Sequence, residues 1–177
     1  NDGLVDYVIV VLNTYLDARV WNPSDYYQLK STVYAWYPRT NTLTYIGTFN
    51  GIHVDTTTYY VLNNVLFIPG ILNYDECAYF GWCPSRYTVK IAILKCILNS
   101  PPICSLNEVY SETTGYFNNP PRINDYTTDY QVYLFGSGDL LYVFPKALDK
   151  YLVFKYTGSG FNLVKTVQYG PSGYSDG

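Results

Sequence analysis

The stretch YTVKIAILKCIL, residues 87–98, decides the fold class. It is rich in β-branched and aliphatic residues, which favour an extended strand over a helix. Four apolar side chains are predicted to face the core, and two lysines are predicted to lie outside: Val89, Ile91, Ile93 and Leu98 inside, Lys90 and Lys95 outside. The stretch is therefore predicted to be a central strand of a sheet.

Further strand signals surround this segment in both directions. TVYAWY and TLTYIGTF flank the turn PRTN and predict a hairpin, whereas YYVLNNVLFIP predicts a strand, or a strand pair broken at Asn63-Asn64. The last third predicts a meander with tight turns at the two Gly-Ser-Gly triplets, 136–138 and 158–160. Short strands joined by turns predict an all-β protein, an antiparallel β-sandwich of jelly-roll or immunoglobulin-like type.

Composition excludes several classes of function. Of the 177 residues, 19% are aromatic, including 22 tyrosines, and only 14% are charged. The 11 basic residues are scattered, so we expect no nucleic-acid partner. No apolar stretch approaches the roughly 20 residues that cross a bilayer, and we expect no membrane span. The chain begins at Asn1 and lacks Met, which we interpret as a mature product whose leader has been removed.

Four cysteines lie within a short stretch, at Cys77, Cys83, Cys96 and Cys104. Their spacings, C-x5-C and C-x7-C, match no common zinc or redox motif. Disulfides are the better interpretation, and they favour an oxidising compartment or a hyperthermophile. Four cysteines allow three connectivities. We expect the two local pairs, Cys77–Cys83 and Cys96–Cys104.

The run LVDYVIVVLN, residues 4–13, raises the question of function. Helical spacing and β-branched content compete there, and the run of valines and isoleucine favours a strand. Apolar side chains on both faces predict burial on both faces, within its own core or in the sheet of a neighbouring copy. We therefore divide the chain into an N-terminal arm, residues 1–20, and a β-sandwich, residues 21–177. The candidate donor-strand residues are Leu4, Val5, Tyr7, Val8, Ile9, Val10, Val11 and Leu12.

This organisation resembles that of the subunits of archaeal extracellular filaments, the threads and bundling pili. The resemblance covers residues 4–12 as donor strand and 21–170 as sandwich, and it extends to the charge-poor composition. It implies a structural protein of the cell surface that forms a homopolymer by donor-strand complementation, with an archaeal, hyperthermophilic source. A virion coat or spike protein and a carbohydrate-binding module with exposed aromatic side chains are the alternatives.

Signals of catalysis or of metal binding are sparse. His53 lies two residues before Asp55 without a nucleophile motif, so a structural role is favoured over a catalytic one. The loop residues Asn124, Asp125 and Asp129 are a weak candidate calcium site because their spacing differs from known calcium loops. The three tryptophans suit a core better than a sugar platform: Trp21, Trp36 and Trp82. We expect neither enzymatic activity nor a cofactor.

Overall fold

The structure, a computed structural model, describes residues 6–14, 30–72, 87–114, 131–146, 148 and 150–169. These residues are all-β, without a helix, and the strands pair antiparallel in three sheets. Sheet A has the order β1 (Val8–Thr14), β2 (Lys30–Tyr37), β3 (Thr42–Asn50). Sheet B has the order β4 (Ile52–Val54), β6 (Val65–Leu72), β7 (Tyr87–Ile97), β8 (Ile103–Thr114), with β5 (Tyr60–Leu62) paired to β6. Sheet C has the order β12 (Phe161–Gln168), β11 (Lys150–Tyr156), β10 (Leu140–Pro145), β9 (Val132–Ser137).

The strand order bears on the predicted topology. Each sheet collects strands that are consecutive in sequence: sheets A and C are meanders, and in sheet B both β4 and β5 pair with β6. Jelly rolls and immunoglobulin-like sandwiches instead carry connections that cross between two sheets. The antiparallel all-β class is thus confirmed, and the jelly-roll or immunoglobulin-like type is not.

Two hydrophobic clusters lie on the two faces of sheet B. One contains Phe67 and Ile91 of sheet B together with Leu141 and Phe154 of sheet C. The other contains Leu66 and Leu94 of sheet B, with Val33 of sheet A. Because successive side chains of a strand point to opposite faces, β6 and β7 contribute to both clusters. Sheet B is therefore the middle layer, between sheet A and sheet C.

The structure of the central strand β7 corrects the expectation that one of its faces lies inside and the other outside. Val89, Ile91 and Ile93 are fully buried against sheet C, as predicted for an inner face. Ala92 and Leu94, on the opposite face, are also fully buried, against sheet A. The strand is covered on both sides, which explains its nearly continuous apolar sequence.

Polar contacts join sheet B to sheet C at two places. The buried carboxylate of Asp55 accepts a hydrogen bond from the backbone N–H of Val132 (3.1 Å), and the Thr58 hydroxyl accepts one from Leu134 N–H (2.7 Å). On the other side, Lys150 donates to both carboxylate oxygens of Glu112 at 2.8 and 2.7 Å. These contacts hold the two layers in one alignment.

Candidate assembly surface

The N-terminal apolar run forms a strand, β1, over Val8–Thr14. It pairs antiparallel with β2 of the same chain, Val11 opposite Val33 and Ile9 opposite Ala35. In the single chain, β1 itself therefore occupies the edge of β2. Leu4 and Val5, at the start of the predicted donor strand, lie outside the described residues.

The two faces of β1 differ in their surroundings. Ile9 and Val11 point inward and pack against the cluster between sheets A and B. Val8 and Leu12 point outward and are 40% and 51% exposed. Within the single chain only one face of β1 is covered, because no layer of the described residues lies over the outer side of sheet A. Tyr7, just before the strand, packs its ring against Tyr37 at 5.6 Å between centroids.

Asn13 sets the register of β1. Its Nδ2 donates to the carbonyl oxygen of Val54 at 2.8 Å, and its Oδ1 accepts from the backbone N–H of Val54 at 3.2 Å. The buried hydroxyl of Ser31 donates to the same Oδ1. A shift of β1 by one residue would break all of these contacts and turn its apolar side chains to the other face.

The outer face of sheet A is apolar toward Val8, Trp36 and Leu43 and polar toward Thr14, Lys30 and Asn50. Its outward positions alternate with the buried Val33 and Ala35 of β2, and Lys30, at the first position of β2, is the one charged side chain among those positions in the three described strands. Leu43 and Tyr45 of β3 are 56% and 60% exposed. Six large side chains dominate this face: Val8, Leu12, Tyr34, Trp36, Leu43 and Tyr45. Exposed apolar surface of this extent is typical of an interaction site.

β1 also presents a free sheet edge. It stands at the end of sheet A, and its second edge has no strand partner within the described part of the chain. Residues 8–14 contain no charged residue and no proline, the usual devices that protect such an edge against pairing with another chain. The edge and the outer face together suit contact with another protein surface.

The cysteine prediction is confirmed for one pair. Cys96 and Cys104 lie directly opposite each other in β7 and β8, and their sulfur atoms are bonded. The pair closes the hairpin that connects these two strands. Cys77 and Cys83, the other predicted pair, lie outside the described residues.

The carboxylate of Asp55, predicted together with His53 to have a structural role, is bonded to backbone groups. The two carboxylate oxygens of Asp55 accept from Thr57 N–H (2.9 Å) and from Val132 N–H (3.1 Å), so this side chain joins two sheets. Burial lowers the pKa of His53 and outweighs the opposing effect of the negative charge of Asp55. The bonds of Asp55 fit the structural role expected for this residue.

Most of the other candidate binding residues lie outside the described part of the chain. Asn124, Asp125 and Asp129 lie outside the described residues, as do Trp21 and Trp82. Trp36 is not in the core: it lies on the exposed outer face of sheet A, where its Nε1 donates to Asn41 Oδ1 at 3.3 Å. Within the described ranges, no three His, Cys, Asp or Glu side chains come together as a metal site.

No helix among the residues whose structure is described has the length and hydrophobicity to cross a membrane. Comparisons of the chain with known protein families, with curated proteins and with solved structures find no match.

Proposed function

We propose that this chain is a structural subunit of an extracellular filament or surface assembly made of its own copies. The observation that carries the proposal is the outer side of sheet A, an apolar face that ends in the unprotected edge of β1. A monomeric protein with that surface is prone to associate. The Cys96–Cys104 disulfide supports an oxidising location, outside the cell.

In this proposal, β1 is the strand that passes between neighbours. The pairing of β1 with β2 in one chain is the closed form, and the same pairing made with β2 of the next copy is the assembled form. Exchange of an identical element between copies is a low-cost route to association. Residues 15–29 separate β1 from β2 in the sequence and provide the chain length that the exchange requires. Repeated head to tail, the exchange produces an open chain of subunits.

Strand exchange by itself gains little free energy, because β1 gives up its place in its own chain for an identical place in the neighbour. Ile9 and Val11 would enter the same cluster in the neighbour, and Asn13 would meet the same Val54 backbone groups. The equilibrium then depends on protein concentration and on any new interface between copies. The exposed outer faces are the surfaces that can supply such an interface.

A cysteine pair placed across β1 and β2 distinguishes the two forms. Val11→Cys with Val33→Cys replaces two valines that lie directly opposite each other, with little change in volume. In assembled material, oxidation is expected to give a ladder of covalent oligomers on a non-reducing gel. Either single variant should give no ladder. Cross-linked monomers as the sole product from assembled material would overturn the exchange of β1.

The carbohydrate-binding alternative has one observation in its favour, a row of aromatic rings on sheet C. Phe144 and Tyr151 lie 4.9 Å apart at an interplanar angle of 25°, so their faces are turned toward each other. Sugar binding requires ring faces that are open to the pyranose. Because these two rings face each other instead, carbohydrate binding is the second candidate. A virion coat protein would also assemble from copies of itself. Electron microscopy of the native material would distinguish a virion from a cellular filament by particle shape.

A further inference from the structure

The outer face of sheet C is a second apolar surface. Val132, Leu141 and Phe154 of this sheet point into the cluster shared with sheet B, so the alternate positions point outward. Six aromatic side chains lie on this outer face: Tyr133, Phe135, Tyr142, Phe144, Tyr151 and, after β12, Tyr169. Phe135 is 54% exposed.

The aromatic side chains form a continuous row across the strands. The ring of Phe135 meets Phe144 edge to face at 5.8 Å, and Phe144 stacks on Tyr151 at 4.9 Å. Tyr151 in turn stacks on Tyr169 at 6.3 Å. Mutual packing holds these rings in place before any partner arrives, so their docking carries a small entropic cost.

Charged groups lie at the margins of this face. Lys155 pairs with Asp139 at 3.6 Å beside the β9–β10 turn, and Lys165 lies on the edge strand β12. The middle of the face is aromatic. An apolar centre with a polar margin is the usual arrangement of a protein–protein interface, in which aromatic side chains are enriched.

The two outer faces lie on opposite sides of one molecule and match in extent. Three strands of about eight residues give sheet A a flat footprint of roughly 400 Å², and the four shorter strands of sheet C give about the same. The two footprints together come to roughly 800 Å², and the relief of the side chains raises the accessible area toward the ~1,200 Å² of specific interfaces. Neither face offers a cluster of charge that selects a charged partner.

We propose that the outer face of sheet A of one copy packs on the outer face of sheet C of the next. The partner is a second copy because each of the two faces finds, in the other face of the same protein, an apolar surface of matching size. Pairing of sheet A with sheet A alone, or of sheet C with sheet C alone, would stop at a dimer and leave the other face exposed. Pairing of A with C covers both faces of each internal subunit, and a contact between unlike surfaces continues as an open stack.

The inference rests on the proposed homopolymer, since it takes a second copy as the partner, yet it is tested without strand exchange. The background is the oxidised Val11→Cys/Val33→Cys chain, purified as the monomer in which the new disulfide is intramolecular and keeps β1 in its own sheet. Leu43→Lys places a charge on the sheet A face, and Phe135→Lys places one on the sheet C face. Ile103→Lys is the control, because Ile103 is an equally exposed apolar residue of sheet B (59%). Sedimentation velocity over a concentration series gives the mass.

The locked parent and the Ile103→Lys control are expected to grow in mass with concentration. Each face variant alone is expected to stay monomeric, because one of its two faces no longer docks. An equimolar mixture of Leu43→Lys and Phe135→Lys has one intact face of each kind, so it is expected to reach twice the monomer mass and no more. Tyr45→Lys and Tyr169→Lys repeat the test if either variant fails to fold.

Other outcomes overturn the inference. If Leu43→Lys alone forms dimers while Phe135→Lys does not, sheet C pairs with itself; the reverse result means that sheet A pairs with itself. A locked parent that stays monomeric at all concentrations shows that the faces do not dock. Strand exchange is tested separately, by the cysteine ladder of assembled protein that has not been locked. The failure of one proposal is therefore distinguishable from the failure of the other.

Discussion

The ring of Tyr60 lies directly against the backbone of Gly136. A Cβ atom at Gly136 would be 2.1 Å from Cδ1 of Tyr60, closer than any real contact. The Tyr60 hydroxyl donates to the carbonyl oxygen of Gly138 at 3.0 Å, which holds the ring over β9. Tyr60 belongs to β5 in sheet B, so this pair fastens sheet B to the edge of sheet C. Glycine is needed here for close approach.

Gly136→Ala is expected to lower the free energy of unfolding by about 1–3 kcal/mol, the usual effect of overpacking. The added methyl group must push the Tyr60 ring away and weaken its bond to Gly138. Urea denaturation gives the measurement. Gly160→Ala is the matched control, since a Cβ there meets no atom within 4 Å. Equal stability of both variants would contradict the role assigned to the Tyr60 contact.

Asp55→Ala is expected to destabilise the protein by about 2–3 kcal/mol, because it leaves the buried N–H of Val132 without its acceptor. Asp55→Asn should lose roughly half as much, since its single amide oxygen replaces one of the two acceptor oxygens. Chemical denaturation of both variants measures the difference. Asp139→Ala, which breaks an exposed ion pair with Lys155, should change stability by at most about 0.5 kcal/mol. A neutral Asp55→Ala would contradict the bridging role.

The contact between Glu112, Lys150 and Tyr110 predicts a pH dependence of stability. Burial alone would raise the pKa of Glu112, but hydrogen bonds from Lys150 and Tyr110, with the charge of Lys150, bring it below its ordinary value of 4.5. Burial is the main cause that raises the pKa of Tyr110, and the hydrogen bond to Glu112 with its negative charge raises it further, to about 12. For a carboxyl group with a lowered pKa in the folded state, the stabilisation is present above the ordinary value and is lost as the pH falls through the lowered one.

Glu112→Gln is therefore expected to lower the free energy of unfolding by about 1–2 kcal/mol at pH 7. The difference from the parent should shrink as the pH falls below 4.5, where the parent loses the contribution of its carboxylate. Denaturation at several pH values tests this. Glu108→Gln, on the same strand with an exposed Lys90 partner, is the control. A difference that is constant between about pH 7 and about pH 3 would rule out the charge contribution.

Removal of the Cys96–Cys104 disulfide by a double alanine substitution is expected to cost about 2–3 kcal/mol, the loop-closure estimate for a separation of 8 residues. Non-reducing peptide mapping should recover the two cysteines in one linked peptide. The double variant should still lose stability when a reductant is added if Cys77 and Cys83 are also joined. Free thiols at Cys96 and Cys104 would contradict the pairing and remove the support for an oxidising location.

Local features of the fold could be predicted from the sequence because neighbours in the chain decide them. The hairpin of β2 and β3, the break at Asn63, and the last meander all follow from turn residues between alternating stretches. Asn63 and Gly138 indeed have positive φ, at 54° and 59°. The Cys96–Cys104 pair also belongs to this class, since a short hairpin brings its two ends together.

The tertiary structure alone decided which faces are covered. A strand that is apolar on both sides predicts two coverings, and β7 has both, whereas β1 has one, because β1 lies in an outer layer and β7 in the middle layer. Gly136 resembles an ordinary turn residue in the sequence, but its need for glycine comes from Tyr60, which is distant in the chain. The pattern of residues along a strand indicates only which of its side chains are apolar. Whether another layer lies above it depends on how distant segments stack, and that is a property of the whole chain.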